Sequence, residues 1–180
     1  MYTANVNNYR PERTDIKCYT DDKLGNPHYS SRLYKILSHI YDPGEWSVYV
    51  DADIFLPDGL EEKLIEELKE SGMAVGVFKH PWRKCLYEEA DEVVSLGKDS
   101  GENVYKTMLF MSHAECPAYG NLAACGIIVR KNTPEVEERN RIWWELLCAG
   151  SERDQITFPF AFQGLIHYFE GNIYDFKKKS

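Results

Sequence analysis

The chain has 180 residues, of which 43% are hydrophobic and 28% charged, so it suffices for one domain with a sizeable core but not comfortably for two. Its formal net charge of −8 argues against nucleic acid or an anionic membrane as a partner, because both require a basic surface. No segment approaches the roughly eighteen consecutive apolar residues of a membrane span, and the N-terminus lacks the pattern of a signal peptide. We therefore expect a soluble chain without a transmembrane segment.

The cysteines bear on the cellular compartment. There are five of them, with no C-x-x-C pair, and the odd number leaves one unpaired in any disulfide scheme. A reducing compartment is the simplest interpretation, which predicts a cytoplasmic location.

The N-terminal part of the chain predicts two short strands and one helix. Residues 2–6 and 16–20 have the apolar and β-branched character of strands, and polar residues follow each of them. After a turn at Gly25-Asn26-Pro27, Ser30 or Ser31 is expected to cap a helix that ends near His39. The expected buried stripe of this helix is Leu33, Ile36, Leu37 and Ile40.

Residues 46–56 are the centre of the predicted fold. Trp46, Val48 and Val50 alternate with other residues at a period of two, which is typical of a buried strand. Asp51 and Asp53 follow at its C-terminal end, where ligands bind in open α/β sheets. Because alternate residues of a strand point the same way, both carboxylates are candidates to bind one divalent cation.

The next elements alternate between helix and strand. Asp58 and Glu61 form a capping-box pattern before a helix with an apolar face of leucines and isoleucine, and Gly72 is expected to end it. A strand is predicted over residues 73–78. A helical stretch from residue 87 is expected to continue in broken form to residue 111.

The C-terminal third contains the last two strands. Residues 123–130 form a predicted strand with Gly126 inside it, and a glycine there often marks a bulge or the close approach of a ligand. A long helix is expected to begin near Thr133 and Pro134. Residues 151–163 predict another helix, interrupted near Pro159, and residues 166–169 predict a final short strand.

Five short motifs in this order resemble a known family. The first is a short Tyr-Thr-Ala strand, the second is Ser-Arg-Leu-Tyr-Lys-Ile-Leu before Val-Asp-Ala-Asp, and the third is His-Pro-Trp-Arg with Tyr-Glu-Glu-Ala. The fourth is Gly-Ile-Ile-Val-Arg-Lys-Asn, and the fifth is Arg-Asp-Gln. Together they are similar to the glycosyltransferase-like domain family that includes plant mucilage-associated hexosyltransferases, and more distantly to GT-A nucleotide-sugar transferases such as glycosyltransferase family 8. The resemblance implies one compact α/β domain over residues 1–180, a Rossmann-like GT-A sandwich whose mixed, mostly parallel sheet is flanked by helices.

The same resemblance implies a function and a set of site residues. It implies sugar transfer from a nucleoside-diphosphate sugar, with UDP as the expected nucleotide, to a carbohydrate or other hydroxyl acceptor, with Mn²⁺ or Mg²⁺ as cofactor. The expected metal ligands are Asp51, Asp53 and His167, and Asp154 is the candidate general base or acceptor-orienting carboxylate. The expected donor-binding residues are Thr3, Asn5, Asp21, Arg32, Lys35, Asp51 and Gly126. The expected substrate-binding residues are His80, Arg83, Glu89 and Gln155.

Two other functions fit the sequence. An Asp-x-Asp after an apolar strand also opens the haloacid-dehalogenase phosphatases, in which Asp51 would attack phosphate and Asp53 would act as acid and base. Against it, the motif normally follows the first strand there, and no later acidic pair has suitable spacing. The other alternative is a nucleotide-sugar binder without catalytic activity, which only an activity assay separates from an enzyme.

Overall fold

The structure is a computed structural model that describes residues 1–10, 12–120 and 122–177. Six strands form one sheet in the order β2-β1-β3-β5-β4-β6. The strands are β1 (Tyr2–Ala4), β2 (Lys17–Tyr19), β3 (Trp46–Val50), β4 (Val75–Lys79), β5 (Ala123–Lys131) and β6 (Ile166–Phe169). β1 pairs in parallel with β2 and β3, and β4 does so with β6, whereas β5 runs antiparallel to both of its neighbours. The expected mixed, mostly parallel sheet is therefore confirmed.

Helices cover both faces of the sheet. They are α1 (Pro27–Ile36), α2 (Ser38–Tyr41), α3 (Leu60–Ser71), α4 (Leu86–Ser95), α5 (Gly101–His113), α6 (Pro134–Ala149) and α7 (Asp154–Ala161). On one face α1, α6 and α7 pack against the sheet around the fully buried Trp143. On the other face α3 packs through Leu64 and Leu68. A third apolar cluster joins α4 and α5 to Ile156 of α7. Among the described residues, no helix combines the length and the apolar character that a membrane span requires.

A bulge interrupts the pairing of β5 with β4. Val77 pairs with Ile128, but the next residue, Phe78, pairs with Ala124, so residues 125–127 of β5 have no partner on β4. On its other side β5 continues to pair with β3, and Asp51 donates its backbone N–H to the carbonyl of Gly126. The bulge expected at Gly126 is thus present, and it lies directly beside the end of β3.

Two predicted helix starts are wrong. α1 begins at Pro27, because the Asn26 side chain accepts the N–H groups of the first turn and proline suits the first helical position. α3 begins after Gly59, which adopts a left-handed conformation, so Asp58 makes no cap. α1 also ends at Ile36, before the expected end near His39, so Ile40 of the expected stripe lies on α2, where it is 56% exposed.

Candidate functional site

The candidate site is a cavity of about 170 Å³ beside the C-terminal end of the central strand β3. The β5 bulge forms its floor, α1 supplies cationic side chains, and the N-terminus of α7 closes one side. Six of the residues singled out from the sequence line it: Arg32, Lys35, Asp51, Gly126, Asp154 and Gln155. The fold therefore brings residues from four separate segments to one place, and the role of each in ligand binding stays a prediction.

A buried network of charges forms the base of this cavity. The ammonium of Lys35 lies 2.6 Å from one carboxylate oxygen of Asp154 and 3.5 Å from Asp51 Oδ1. Arg32 Nε lies 3.7 Å from the other oxygen of Asp154, and the hydroxyl of Tyr49 donates to Asp51. Lys35 and Asp154 are almost fully buried, whereas the Asp51 side chain is 35% exposed. Asp51 is consequently the carboxylate of this network that a ligand can reach.

The network holds Asp154 and Lys35 in their charged forms. Burial by itself would raise the pKa of Asp154, but the attraction of Arg32 and Lys35 outweighs it and the net pKa lies well below the usual range. Burial would likewise lower the pKa of Lys35, and the carboxylates of Asp154 and Asp51 raise it above its ordinary value. Because a general base works best with a pKa near the working pH, Asp154 is a poor proton acceptor while both cations stay beside it.

Asp53 has different partners from Asp51. Its carboxylate lies 3.1 Å from Lys177 Nζ and 3.7 Å from an Arg10 guanidinium nitrogen. Lys177 also lines the cavity, so Asp53 lies at its margin. The two acids flank Ala52, which is buried, in a turn closed by a hydrogen bond from Ile54 N–H to the carbonyl of Asp51.

This arrangement fits a Mg²⁺ or Mn²⁺ ion that is shared with a diphosphate. Such ions commonly use one or two protein carboxylates together with phosphate oxygens and water. Room for Asp51 depends on Gly126, since a Cβ added there would lie 3.0 Å from Asp51 Oδ2 and 2.9 Å from the terminal carbons of Ile54 and Ile173. Among the described residues, no group of three or more His, Cys, Asp or Glu side chains is arranged to hold a metal. The fit is therefore to a two-carboxylate site completed by substrate.

A second cavity, of about 470 Å³, adjoins the first through Arg32 and Arg153, which line both. Its other walls come from the loop after β1 and the start of α1, and include Tyr9, whose side chain is 63% exposed. The Nε atoms of Arg32 and Arg153 are buried and have no hydrogen-bond partner among the described residues. Unsatisfied guanidinium donors at the junction of two cavities favour an anionic ligand that spans both.

The expected substrate-binding residues His80, Arg83 and Glu89 form their own cluster. Arg83 donates to Glu89 through Nε, its backbone N–H donates to His80 Nδ1, and His80 Nε2 lies 3.7 Å from Glu89. Burial lowers the pKa of His80, although Glu89 opposes this effect. His80 and Arg83 line a separate cavity of about 230 Å³, while Glu89 is buried as their partner.

A pair of aromatic rings connects that cluster to the candidate site. Trp82, 66% exposed, has its ring centre 4.6 Å from that of Tyr174, and Tyr174 lines the first cavity. His80 contacts the edge of the Trp82 ring at 5.9 Å. The surface between the first cavity and the cavity lined by His80 and Arg83 is therefore aromatic and accessible.

Three sequence assignments are wrong in this structure. Thr3 is fully buried within β1, where no ligand can reach it. Asn5 is also fully buried, and its amide bonds the backbone N–H and carbonyl of Arg10. His167 lies on β6, three strands or about 14 Å from β3, and its ring bonds Glu67, so it cannot share a cation with Asp51. Asp21 is exposed at the end of β2 and accepts the Tyr34 hydroxyl, and its donor role stays a prediction.

The structure also adds residues to the site that the sequence analysis missed. Arg153 lines both cavities beside the singled-out Asp154, and its position in the same Arg-Asp-Gln motif was an available signal. Tyr174 and Lys177 reach the cavity because the C-terminal segment folds back, with Lys177 bridged to Ile54 and the Phe55 N–H bonded to the carbonyl of Phe176. No local pattern in the sequence indicated that contact.

Comparison with known proteins assigns the chain to a family. A family model described as the TOD1/MUCI70 glycosyltransferase-like domain matches residues 18–179, and the chain therefore belongs to that family. No curated protein matches it in sequence. It is similar in structure to the WbbM bifunctional glycosyltransferase in its apo form (15% identity, TM-score 0.55, covering 87% of this chain and 29% of that one). It also matches the apo form of mouse xyloside xylosyltransferase 1 (12% identity, TM-score 0.47, covering 86% and 63%).

The family assignment confirms the resemblance inferred from the sequence motifs. The chain is a glycosyltransferase-like domain, and the likeness to WbbM shows the expected α/β fold. The chain spans less than two thirds of the length of either solved structure. The phosphatase alternative conflicts with the family assignment, and its Asp-x-Asp would also follow the third strand here, not the first.

Proposed function

We propose that this domain transfers a sugar from a nucleoside-diphosphate sugar to a hydroxyl acceptor, using Mn²⁺ or Mg²⁺. The observation that carries the proposal is the convergence of Arg32, Lys35 and Arg153 on one small cavity beside Asp51, in a chain whose net charge is −8. Three cations beside a reachable carboxylate match a ligand that brings two phosphates and shares a metal ion with the protein.

The two adjoining cavities suggest how the donor would lie. The diphosphate would occupy the junction, where Arg32 and Arg153 have unbonded Nε donors. The nucleoside would extend into the larger cavity past Tyr9, and the sugar would point toward Gln155 and Tyr174 in the smaller one. Uridine is our choice of base, and it rests on the family resemblance alone.

Each side chain would then have a distinct task. Asp51 and Asp53 would hold the metal ion, which when bound neutralises charge on the diphosphate leaving group. Arg32, Lys35 and Arg153 would bind the phosphate oxygens and stabilise the charge that develops as the glycosidic bond breaks. Asp154 would orient the acceptor hydroxyl or take its proton once the diphosphate has drawn Arg32 and Lys35 away from it.

A thermal-shift panel tests the proposal without a known acceptor. UDP, GDP, ADP and CDP are compared with and without Mn²⁺, and a ligand at about one hundred times its dissociation constant should raise the melting temperature by about 5 to 10 °C. Arg153→Gln should abolish most of this shift, because it removes a cation that lines both cavities. Arg141→Gln, on the exposed side of α6, is the matched control and should keep it.

Turnover is measured separately by release of the nucleoside diphosphate from UDP-sugars. Release that requires metal supports a transferase, whereas binding without release to water or to any acceptor supports the non-catalytic binder. No thermal response to any nucleoside diphosphate with metal would contradict the donor assignment itself.

A further inference from the structure

Arg13 makes hydrogen bonds to the backbone of the turn that carries Asp51 and Asp53. Its guanidinium donates from Nη1 to the carbonyl of Ile54 at 2.7 Å and lies 3.4 Å from the carbonyl of Ala52. The side chain is only 2% exposed. These two carbonyls stand on either side of Asp53, so one guanidinium fixes the backbone on both sides of that carboxylate.

The guanidinium is itself held in a fixed orientation. Nε and Nη2 of Arg13 each lie 2.7 Å from an oxygen of Asp15, a bidentate pair, and the group stacks 4.0 Å above the ring of Phe55. All three of its nitrogens therefore make hydrogen bonds, and lysine has no equivalent geometry. The planar group acts as a rigid connector between the loop after β1 and the turn after β3.

The same loop makes a second contact with the turn. Arg10 Nη2 lies 3.7 Å from Asp53, and the Asn5 amide bonds both the N–H and the carbonyl of Arg10 at 3.0 Å. Asn5, rejected above as a ligand-binding residue, thus anchors a loop that reaches the Asp-x-Asp turn.

We propose that Arg13 is a positioning residue that sets the geometry of Asp51 and Asp53 for metal and diphosphate binding. The proposal rests on the proposed function, since it assigns a task to a residue that would touch neither donor nor metal. Two of its hydrogen bonds are directed at backbone carbonyls of the turn that bears both carboxylates.

The test compares Arg13→Gln and Arg13→Lys with Arg141→Gln as the surface control. Changes in residues that orient metal ligands typically reduce metal affinity about 10- to 100-fold. We expect Arg13→Gln to lower Mn²⁺ affinity by that amount, measured by electron paramagnetic resonance of Mn²⁺ in the presence of UDP. We expect Arg13→Lys to lie between wild type and Arg13→Gln, because an ammonium can reach one carbonyl but not also chelate Asp15. The affinity for UDP without metal should stay unchanged, whereas a general loss of stability would lower that affinity as well.

Hydrogen–deuterium exchange supplies a readout that needs no ligand. The Ile54 amide bonds the carbonyl of Asp51, and the Phe55 amide bonds the carbonyl of Phe176. Both amides should exchange faster in Arg13→Gln, while the amides of β5 and α6 keep their wild-type rates. If wild type binds Mn²⁺ with UDP and Arg13→Gln binds it equally well, the proposal is overturned. If wild type binds no nucleotide, the proposed function fails. In that case faster exchange confined to the turn would still support positioning of the carboxylates, and unchanged exchange would overturn it.

Discussion

The ammonium of Lys35 lies 2.6 Å from a carboxylate oxygen of Asp154, and both side chains are almost completely buried under the candidate site. A buried pair of this kind is costly to break, because the remaining charge has no solvent to stabilise it. The same ammonium also lies 3.5 Å from Asp51. A diphosphate entering the cavity would therefore compete with Asp154 for Lys35 and Arg32, and this competition underlies the first prediction.

Asp154→Asn should separate turnover from donor binding. Loss of the carboxylate leaves Lys35 and Arg32 without their closest anion, so we expect UDP with Mn²⁺ to bind at least as tightly as in wild type. Turnover should fall by about one hundredfold to ten-thousandfold if Asp154 handles the acceptor proton. Calorimetric titration and UDP release measure the two effects. Glu152→Gln, two residues away and outside the Lys35 network, is the control, and unchanged turnover in Asp154→Asn would leave Asp154 with a structural task only.

Asp154 also predicts a difference in acid stability. Its pKa in the folded protein is well below the usual value because Arg32 and Lys35 outweigh the effect of burial, whereas the unfolded chain titrates near about pH 4. A depressed folded pKa contributes stability that is complete above the unfolded pKa and is lost as the pH falls toward the folded one. The free energy of unfolding of wild type should thus drop more steeply below about pH 4 than that of Asp154→Asn. Urea unfolding at a series of pH values measures this, and parallel curves would contradict it.

Gly126→Ala should weaken the site. The added methyl would contact Asp51 and the ends of Ile54 and Ile173 at about 3 Å, so Asp51 must move. We expect the thermal shift produced by UDP with Mn²⁺ to shrink or vanish. Gly76→Ala is the matched control, because its methyl would collide with the Phe169 ring, which does not line the cavity. That variant should lower the melting temperature of the free protein but keep the ligand-induced shift.

His167→Ala should leave the metal response intact. The ring of His167 bonds the half-exposed Glu67 at 2.8 Å on the edge of the sheet. Loss of an exposed pair of this type typically changes stability by no more than about 0.5 kcal/mol. A Mn²⁺ titration of turnover or of the melting temperature should give the wild-type midpoint, and a large increase in that midpoint would restore His167 as a metal ligand.

The sequence patterns predicted the strands and their order along the chain well, because period-two alternation and glycine stops act locally. β3, β4, β5 and β6 lie within a few residues of their expected positions, and Gly72 ends α3 in the left-handed conformation. The antiparallel direction of β5 could not be predicted, since no local signal encodes which way a strand runs in the sheet. That direction places the Gly126 bulge beside Asp51.

The site was predicted only in part, because local motifs identify candidate residues but not the residues that surround them. Asp51, Lys35 and Asp154 were singled out from motifs and do meet, but which neighbours they would have depends on long-range packing. Thr3 and Asn5 were misassigned because a short strand does not reveal whether its polar residues face a ligand or the interior. Arg13 was missed because its contact with Ile54 joins two loops that are far apart in sequence.

The position of β5 in the sheet has a consequence for the order in which the molecule folds. β5 lies between β3 and β4, although it is synthesised after both of them. Until it emerges from the ribosome, β3 and β4 each present an unpaired edge, which is a hazard for aggregation. β5 also supplies the floor beside Asp51, but Asp154, Tyr174 and Lys177 are synthesised after it, so nascent chains should protect the edges of β3 and β4 before the cavity is complete.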